Sequence, residues 1–593
     1  MYNNDNIPLS YYLNKYKNLN SLEYNYNKNI KVAFLTSNTS NGLKETMSVL
    51  CFENNIKSDI YLTPYAQYNQ EILNNNSTLY SEKYDLIFFS IDVRNLLGDF
   101  IYNPYALTDE NRIEFYNSLE SSLTTLFANL LQKTDCYIIV QNFNTIFNTS
   151  YGILENDQEF GLYNIINKLN FWLIEYTKKN KKVIIFDYNN FISNLGKENA
   201  FDEKLYHLGD IILKPNLIPR LSNEYLRYIK AFLGLQKKCI VLDLDNTLWG
   251  GIIGESDINQ ISLSPFNDGK PFYNFQNLLY SYYKRGVILA INSKNNYKDA
   301  INVIQNHPHM ILKENYFTSI KINWNNKVDN IIEIAKDINI GLDSIVFIDD
   351  DDLNCEMVGK LLPEVEVVHL PKDPTRYLNT LINRNLFDTF TITKEDLNKG
   401  EMYEAENQRK KLNLSYSDIN EYLLNLNIEL DIYKNYVNHL KRISQLTLKT
   451  NQFNTTTLRF NELQIEEKLN NSKNLIYSVN VKDKFGDSGI TGVAILNTKD
   501  NKWMIENFLL SCRVLGRNIE NVILEFIINE AKNNDINYIE AHFIPSNKNM
   551  IAASIFQNNN FTLISKENNL EVWYLDINTF NRKKTNIKIN NIC

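Results

Sequence analysis

Two carboxylates two residues apart follow an apolar run in the middle of the chain. The segment CIVLDLDNTLWGG, which begins at Cys239, contains Asp243 and Asp245. Residues two apart in an extended strand point to the same side, so both carboxylates can face one phosphoryl group and one metal ion. Thr247 adds a hydroxyl group at the following turn, where it is expected to bind phosphate. Since open α/β sheets build their sites at the carboxyl ends of strands, the pattern predicts phosphoryl chemistry.

Other polar residues follow later strand-like runs in an order that fits the same site. Ser293 follows VILAIN, Lys327 lies in INWNNKVDN, and Asp349 and Asp350 follow SIVFI. A parallel sheet with crossover helices can bring all of them to one edge. We expect Ser293 and Lys327 to hold the phosphoryl oxygens as fixed hydrogen-bond donors.

A phosphoryl group among carboxylates would be repelled unless a divalent cation offset the negative charge. Magnesium suits a site made entirely of oxygen ligands. The expected ligands are Asp243, Asp245 through its backbone carbonyl, and Asp350, with Asp349 behind it. The adjacent Asp351–Asp352 leave the choice within this acidic run open.

These four motifs, taken in order, resemble the haloacid dehalogenase superfamily of phosphotransferases. The resemblance implies that Asp243 attacks phosphorus to form an aspartyl phosphate and that Asp245 acts first as general acid and then as general base. The interval between Asp243 and Ser293 is too short for a large lid domain as well as a crossover helix. A macromolecular substrate could therefore reach the predicted site.

Further strings narrow the resemblance to the FkbH-like family. They are WGGIIGE after the first motif, INWNNKVDN, KTNQFN (residues 449–454), DKFGDSGITGVAIL and LLSCRVLGRNIE. The family implies a degenerate SGNH-hydrolase-like domain, a dehalogenase-type domain and a GNAT-like acyltransferase domain. Its best-understood activity implies removal of phosphate from 1,3-bisphosphoglycerate and loading of glyceryl onto an acyl carrier protein for polyketide-type biosynthesis. For KTNQFN itself two interpretations stay open: a structural turn between domains, or a direct role in a functional site.

A second candidate site lies near the carboxyl end of the chain. Arg513, Gly516, Arg517 and Asn518 stand between a predicted strand and a predicted helix, where backbone amides could receive a pyrophosphate. The pattern resembles the nucleotide-cradling loop of GNAT acyltransferases, and Asn549 resembles a later asparagine of that fold. The resemblance implies binding of acyl-CoA or of a carrier protein's phosphopantetheine, although Asn518 departs from the usual small residue. A packing turn is the alternative.

Cys512 comes directly before that loop, near two arginines. Such surroundings can activate a thiol, so Cys512 is a candidate carrier of a transient glyceryl thioester. The alternative is a small buried hydrophobic residue. Glyceryl-loading relatives are implied to have a cysteine directly before the second-motif serine, where this chain has Asn292. That departure leaves the acyl acceptor open.

The elements that must position these residues are α/β throughout. Short strand-like runs alternate with helical patterns from Ile30 to about Asn190, which predicts a parallel, SGNH- or flavodoxin-like sheet. Asp202 and His207 lack the spacing of an SGNH catalytic pair, so this domain is expected to have a docking or scaffold role and not to catalyse hydrolysis. A second strand series predicts a Rossmann-like central domain without a large cap. The predicted domains are 1–235 (SGNH-like), 236–375 (dehalogenase-type), 376–474 (helical connector with KTNQFN) and 475–593 (GNAT-like).

Composition limits the remaining possibilities. The 593 residues are 44% hydrophobic and 22% charged, which excludes a disordered or fibrous protein. A net charge of −8 argues against nucleic acid as a partner, because no excess of basic residues is present to neutralise a phosphate backbone. The six cysteines show no paired spacing, and neither a signal peptide nor an apolar run long enough to span a membrane is visible. We therefore expect a cytoplasmic protein without a membrane partner.

Two functions follow from these observations. The first is a magnesium-dependent FkbH-like enzyme that dephosphorylates an acyl phosphate and passes the glyceryl group to the thiol of an acyl carrier protein. The second is a dehalogenase-type phosphatase fused to a GNAT N- or O-acyltransferase, which modifies a sugar or amino-acid intermediate from an acyl-CoA or acyl-carrier donor. Both require a phosphorylated small-molecule substrate.

Overall fold

The computed structural model describes residues 7–19, 26, 28–145, 149–253, 258, 260–413, 416, 418–499, 502–567, 569–580 and 586–592. The last two residues of WGGIIGE and the final cysteine lie outside these ranges. The chain divides into two compact units, residues 1–229 and 230–593, close to the predicted boundary after residue 235. No described helix is long and apolar enough to cross a lipid bilayer.

The first unit is built on a parallel sheet. Its strands are β1 (Lys28–Thr36), β2 (Ile56–Leu62), β3 (Leu86–Ser90), β4 (Tyr137–Gln141) and β5 (Val183–Phe186), in the order β2-β1-β3-β4-β5. The predicted parallel sheet is present, and this strand order is the flavodoxin-like one. Its helices are α1 (Leu9–Leu19), α2 (Leu43–Glu53), α3 (Tyr68–Leu73), α4 (Thr78–Ser81), α5 (Val93–Leu97), α6 (Asp109–Lys133), α7 (Leu162–Lys179), α8 (Tyr188–Leu195), α9 (Lys197–Ala200) and α10 (Glu203–Gly209); α11 (Ile218–Phe232) follows.

Asp202 and His207 have structural surroundings in this unit. The Asp202 carboxylate caps α10 by accepting a hydrogen bond from the Leu205 backbone N–H at 3.0 Å. His207 is exposed on the same helix. This geometry fits a helix cap better than a catalytic pair.

The central domain opens the second unit with another parallel sheet. Its strands are β6 (Cys239–Leu242), β7 (Ile288–Ser293), β8 (Phe317–Ile322), β9 (Ile345–Asp349) and β10 (Glu366–His369), in the order β10-β9-β6-β7-β8. Its helices are α12 (Lys270–Lys284), α13 (Tyr297–Asn306), α14 (Lys327–Ile338), α15 (Asp352–Leu361) and α16 (Tyr377–Ile382). β8 is an edge strand, and its lysine and serine weaken the apolar signal in the sequence.

Strand β6 is central and fully buried because its alternate side chains enter two different cores. Ile240 and Leu242 pack into one hydrophobic cluster, whereas Cys239 and Val241 pack into the other. An apolar strand covered on both faces is typical of parallel α/β sheets. The carboxylates that follow β6 are thereby held on a rigid element.

The rest of the second unit is a mixed sheet with helices. Its strands are β11 (Glu429–Lys434), β12 (Phe453–Asn454), β13 (Asn474–Asp483), β14 (Gly486–Lys499), β15 (Lys502–Leu510), β16 (Tyr538–Phe543), β17 (Thr562–Glu567), β18 (Leu570–Asp576) and β19 (Lys588–Ile592). They run in the order β17-β18-β16-β15-β14-β13-β11-β19, with β12 paired to β15. The helices are α17 (Lys394–Leu397), α18 (Lys399–Asn413), α19 (Ile419–Asn425), α20 (Leu440–Lys449), α21 (Glu462–Asn470), α22 (Ile519–Asn533) and α23 (Ile555–Asn558).

The structure differs here from the predicted helical connector at 376–474. Strands β11 and β12 lie within that range, and both are paired to strands of the last domain. Leu430 and Ile432 of β11 are fully buried in its core. The C-terminal sheet therefore starts well before residue 475. The sequence did not reveal this, because β11 pairs with β13, which lies about 40 residues later in the chain.

Candidate active site

The predicted phosphoryl site lies where the central strands end. Asp243 directly follows β6, and its backbone N–H donates to the Ile348 carbonyl at 3.0 Å. Ser293 is the last residue of β7, and Asp349 is the last residue of β9. Since β7 and β9 flank β6 in parallel, these ends meet at one edge of the sheet.

Three carboxylates and one lysine form the centre of this edge. Oxygen atoms of Asp243, Asp349 and Asp350 lie within 4.8 Å of one another, so the three groups could hold a metal ion. Lys327, the first residue of α14, places Nζ 2.6 Å from Asp349 Oδ2 and 2.9 Å from Asp243 Oδ1. Its side chain is only 1% exposed. The geometry thus joins four of the predicted site residues.

The charges at this edge do not balance within the protein. Burial, followed by repulsion from Asp243, raises the pKa of Asp349 to about 7 and that of Asp350 to about 6. Burial lowers the pKa of Lys327, but the Asp243 and Asp349 carboxylates outweigh it and raise the pKa overall. Asp243 Oδ1 is buried and makes no well-aligned hydrogen bond, although Lys327 is close. Excess negative charge and an unsatisfied carboxylate oxygen fit a divalent cation.

The Asp245 carboxylate is not part of this triad and is held by three donors. Oδ1 accepts from Trp249 Nε1 at 2.9 Å and from the Ile253 backbone N–H at 3.2 Å, and Oδ2 accepts from Asn295 Nδ2 at 2.9 Å. Burial raises the pKa of Asp245 above that of an ordinary aspartate. A fixed carboxyl group with a raised pKa is suited to proton transfer. Its carboxylate is outside the metal-binding triad, which leaves only the predicted backbone carbonyl for a metal.

The two predicted hydroxyl groups are both buried at the edge. Thr247 Oγ1 donates to Asp350 Oδ1 at 3.4 Å. Ser293 Oγ accepts from Asn295 Nδ2 at 3.2 Å. Thr247 therefore contacts an acidic residue of the triad, while Ser293 shares a donor with Asp245.

Two asparagines around Ser293 have supporting roles that the sequence did not reveal. Asn295 bridges Asp245 and Ser293, and Asn292 donates to the Lys327 carbonyl at 2.9 Å. Asn292 also accepts from Asn330 Nδ2 at 3.0 Å, so it holds the start of α14. The sequence does show several polar residues clustered at the end of this strand. It could not show their partners, because those lie on other strands and helices.

Replacing Asn295 by alanine is expected to lower kcat for phosphate release about tenfold or more, with little change in KM, because Asp245 loses a donor that fixes its carboxylate. Steady-state kinetics of the purified variant measure the effect. Asn296→Ala is the matched control. Asn296 directly follows Asn295 in the chain, is exposed, and donates from Nδ2 to Asp299 Oδ2 at 3.3 Å. An equal loss in both variants would contradict a positioning role for Asn295.

Cys512 is not at this edge. Asn339, which ends α14 ahead of β9, donates from Nδ2 to the Cys512 carbonyl at 3.0 Å, and Lys238 directly precedes β6 within electrostatic reach of the thiol. Lys238 and Asp243 stand at opposite ends of β6, roughly 16 Å apart at about 3.3 Å per residue. The thiol predicted to take an acyl group beside the phosphoryl site thus belongs to the opposite edge of the sheet.

The predicted pantetheine loop is only partly available to a ligand. Gly516 and Asn518 have positive φ values of 77° and 62° and lie exposed before α22. The Arg517 side chain is 4% exposed, with Nη1 3.3 Å from Asp483 Oδ2 and an ion pair to Glu406. Arg513 is half-buried and its Nε donates to Ser511 Oγ at 3.4 Å. Because its charge is already paired with Glu406 and Asp483, Arg517 has a structural role and is not available to bind a pyrophosphate.

Asn549 differs from its predicted role in binding pantetheine or CoA. Its side chain is fully buried. Nδ2 donates to the carbonyls of Asn454 and Ile544, each at 2.9 Å, and Oδ1 accepts from the Ser546 backbone at 2.8 Å. Since the amide is engaged on both sides by protein groups, it has a structural role.

The KTNQFN motif fills a gap between two strands. β15 and β16 pair only from Trp503 to Ile505. Beyond that point Phe453 and Asn454 pair with the end of β15, and Thr455 bonds to Phe508 at 3.0 Å and to Ile544 at 2.8 Å. The motif thus ties two diverging strands together, which favours its structural interpretation.

Similarity to known proteins agrees with this arrangement. Residues 31–230 match the family model described as FkbH, N-terminal domain. The crystal structure of the N-terminal part of protein BF1531 from Bacteroides fragilis, containing a phosphatase domain complexed with Mg, is 28% identical with a TM-score of 0.59, and covers 65% of this chain and 100% of that one. No curated protein matches the chain. The predicted relationship to FkbH-like proteins and the multidomain α/β class are confirmed, and the chain contains a phosphatase-type domain.

Acetyltransferase structures resemble a smaller part of the chain. The ribosomal-protein-S18-alanine N-acetyltransferase from Escherichia coli is 11% identical with a TM-score of 0.21, and covers 25% of this chain and 94% of that one. The IAA acetyltransferase from Bacillus cereus is 16% identical with a TM-score of 0.19, and covers 25% and 99%.

Proposed function

We propose that this chain, whose residues 31–230 match the FkbH N-terminal domain model, is a magnesium-dependent enzyme that removes a phosphoryl group through Asp243. The observation that carries the proposal is the buried group of Asp243, Asp349, Asp350 and Lys327 at the carboxyl edge of the central sheet. The related Bacteroides fragilis phosphatase domain was crystallised with Mg, which supports magnesium as the cation. When bound, magnesium would offset the carboxylates and polarise a phosphoryl oxygen.

The residues divide the chemistry between them. A carboxylate oxygen of Asp243 attacks phosphorus, the bond from phosphorus to the leaving oxygen breaks, and Asp245 gives that oxygen its proton. Water then hydrolyses the aspartyl phosphate, and Asp245 takes the proton of the water. The Ser293 hydroxyl and the Lys327 ammonium are the donors for the phosphoryl oxygens.

The substrate we propose is an acyl phosphate, with 1,3-bisphosphoglycerate as the leading example. In 1,3-bisphosphoglycerate the two phosphates leave by different steps. Asp243 takes the phosphoryl group of the phosphate ester by breaking its phosphorus–oxygen bond, and the acceptor thiolate attacks the acyl carbon, which breaks the carbon–oxygen bond of the acyl phosphate and releases the second phosphate. Cys512 lies at the other edge of the sheet, which favours an external acceptor, the phosphopantetheine thiol of an acyl carrier protein. Resemblance to glyceryl-loading FkbH-like enzymes supports this substrate class.

A second candidate is a phosphatase joined to a separate acyltransferase. The placement of Cys512 and the Gly516 loop away from Asp243 favours two independent sites. Asn549 is buried and KTNQFN occupies the gap between β15 and β16, so the pantetheine arm of an acyl donor would not have room to bind between these two strands. We therefore rank this function second.

Magnesium-dependent phosphate release from freshly generated 1,3-bisphosphoglycerate is the expected result with the full chain, together with a glyceryl-sized mass gain on a pantetheinylated carrier protein. Phosphate assay and intact-mass spectrometry measure the two products. EDTA should abolish both, because three uncompensated carboxylates repel the substrate. Carrier protein without its phosphopantetheine is the control and should gain no mass.

The outcomes separate the two levels of the proposal. Phosphate release that persists in EDTA would contradict the metal-dependent site. Release without any mass gain on the carrier would rule out glyceryl loading and favour the second candidate.

A further inference from the structure

Five cationic side chains gather at the edge of the central sheet that is opposite Asp243. This basic cluster comprises Lys238 before β6, Lys399 on α18, Arg442 and Lys449 on α20, and Arg513 beside Cys512. Lys238 Nζ donates to the Lys449 carbonyl at 2.9 Å, which joins the central domain to α20. Lys399 Nζ likewise donates to the Gly286 carbonyl at 3.2 Å, directly ahead of β7. The cluster is thus built from elements of two domains.

The cluster has fewer carboxylates than cations. Among the described residues, only Asp396 and Glu395 come within 4.0 Å of its charged atoms. Asp396 Oδ1 lies 2.8 Å from Lys399 Nζ and 4.0 Å from Lys449 Nζ, while Glu395 Oε1 lies 4.0 Å from Arg442 Nε. No carboxylate in the described part of the chain lies within that distance of Lys238 or Arg513. Buried positive charge in excess is costly unless an anion accompanies it.

The side chains of the cluster are enclosed but still reachable. Burial and the neighbouring Lys399 lower the pKa of Lys449 to about 7, and burial also lowers the pKa of Lys399. Yet the side chains of Lys399 and Lys449 remain 22% and 21% exposed. These two side chains are therefore largely enclosed by protein but still reach water. An anion bound to them would be partly shielded from competing solvent.

We propose that the basic cluster is a second ligand site, which binds the phosphate group of a ligand beside the Cys512 thiol. Three lysines supply point charges, and the Arg513 guanidinium, whose Nε and Nη1 contact Ser511 and Met402, supplies its remaining N–H donors to phosphate oxygens. The Cys512 thiol lies within electrostatic reach of Lys238 and Arg442 and is partly exposed. The site is separate from the phosphoryl site because the two lie at opposite ends of β6.

Saturable phosphate binding to the metal-free full chain in EDTA is the expected result in calorimetry. Metal-free Asp243, Asp349 and Asp350 repel anions, so binding reports the cluster. Lys449→Met and Arg513→Gln should each weaken binding about tenfold, because each removes a charged donor. Lys441→Met is the matched control, since Lys441 is an exposed lysine on the same helix as Lys449. Acetate should not compete.

Alkylation of Cys512 provides a second measurement that locates the ligand. Cys51, Cys136, Cys239 and Cys355 are buried, so iodoacetamide followed by peptide mass mapping can follow Cys512. Phosphate should slow alkylation of the wild-type thiol and have no such effect in Lys449→Met. Pantetheine 4′-phosphate and inorganic phosphate are tested in parallel: preference for the former identifies an organic phosphate as the ligand, and equal protection identifies free phosphate.

Three results would overturn the proposal. They are no saturable phosphate binding by the wild-type chain, equal binding by Lys449→Met and wild type, and equal rates of Cys512 alkylation with and without phosphate. Thermal unfolding of Lys449→Met guards against misfolding. Its Tm should equal or exceed that of the wild type, because the substitution removes an excess buried charge. Arg513→Gln, at a half-buried position, provides the same test independently.

Discussion

Asp243→Asn is expected to lower magnesium-dependent phosphate release about 10⁴-fold or more, because an amide cannot supply the carboxylate oxygen that attacks phosphorus. The variant should fold, since it removes one of the buried like charges that raise the pKa of Asp349. Initial rates of phosphate release and thermal unfolding together measure these effects. The expected combination is a stable, inactive protein.

Asp329→Asn is the matched control for this variant. Asp329 is exposed on α14, two positions after Lys327, and belongs to no part of the triad. It should retain wild-type phosphate release. Residual activity of Asp243→Asn within tenfold of this control would assign the nucleophile to another residue and would contradict the proposed chemistry.

Lys327→Met is expected to produce the largest loss of folding free energy, about 3–5 kcal/mol, because it leaves two buried carboxylates without their cation. Asp349 is fully buried, and Lys327 Nζ lies within 2.9 Å of both Asp349 and Asp243. Urea unfolding of the metal-free protein measures the effect. Phosphate release should also fall sharply, since the same ammonium group is a donor to the phosphoryl oxygens.

The loss in Lys327→Met should depend on pH in a definite direction. Burial and Asp243 already raise the pKa of Asp349 to about 7 in the folded protein, above its value in the unfolded chain. A raised folded pKa means that stability falls as pH rises through that range. Removing the lysine raises the pKa further, so the loss should be greater at pH 8 than at pH 5.5.

A double variant separates charge from packing. Lys327→Met combined with Asp349→Asn removes one charge of each sign, so it should recover much of the lost folding free energy while remaining inactive. If the double variant is as unstable as Lys327→Met, the loss comes from packing around the lysine stem, and the electrostatic explanation is wrong.

Much of the central site followed from the order of residues. Asp243, Ser293 and Asp349 each end or follow an apolar strand, and parallel strands bring such ends to one edge whatever their connections. The partners of the Asp245 side chain did not follow from spacing. Asp245 and Asp243 are two residues apart, yet Trp249 and Asn295 hold the Asp245 carboxylate and it does not belong to the triad.

The sequence by itself indicated the phosphoryl chemistry that we propose, because a strand's apolar run and the polar residues at its end are contiguous and local. Only the tertiary structure decided which groups meet. It sets Cys512 and the basic cluster at one end of β6 and Asp243 at the other, and it pairs β12 with β15. Those contacts join segments far apart in the chain, so they depend on how whole domains pack, which no local pattern of residues records.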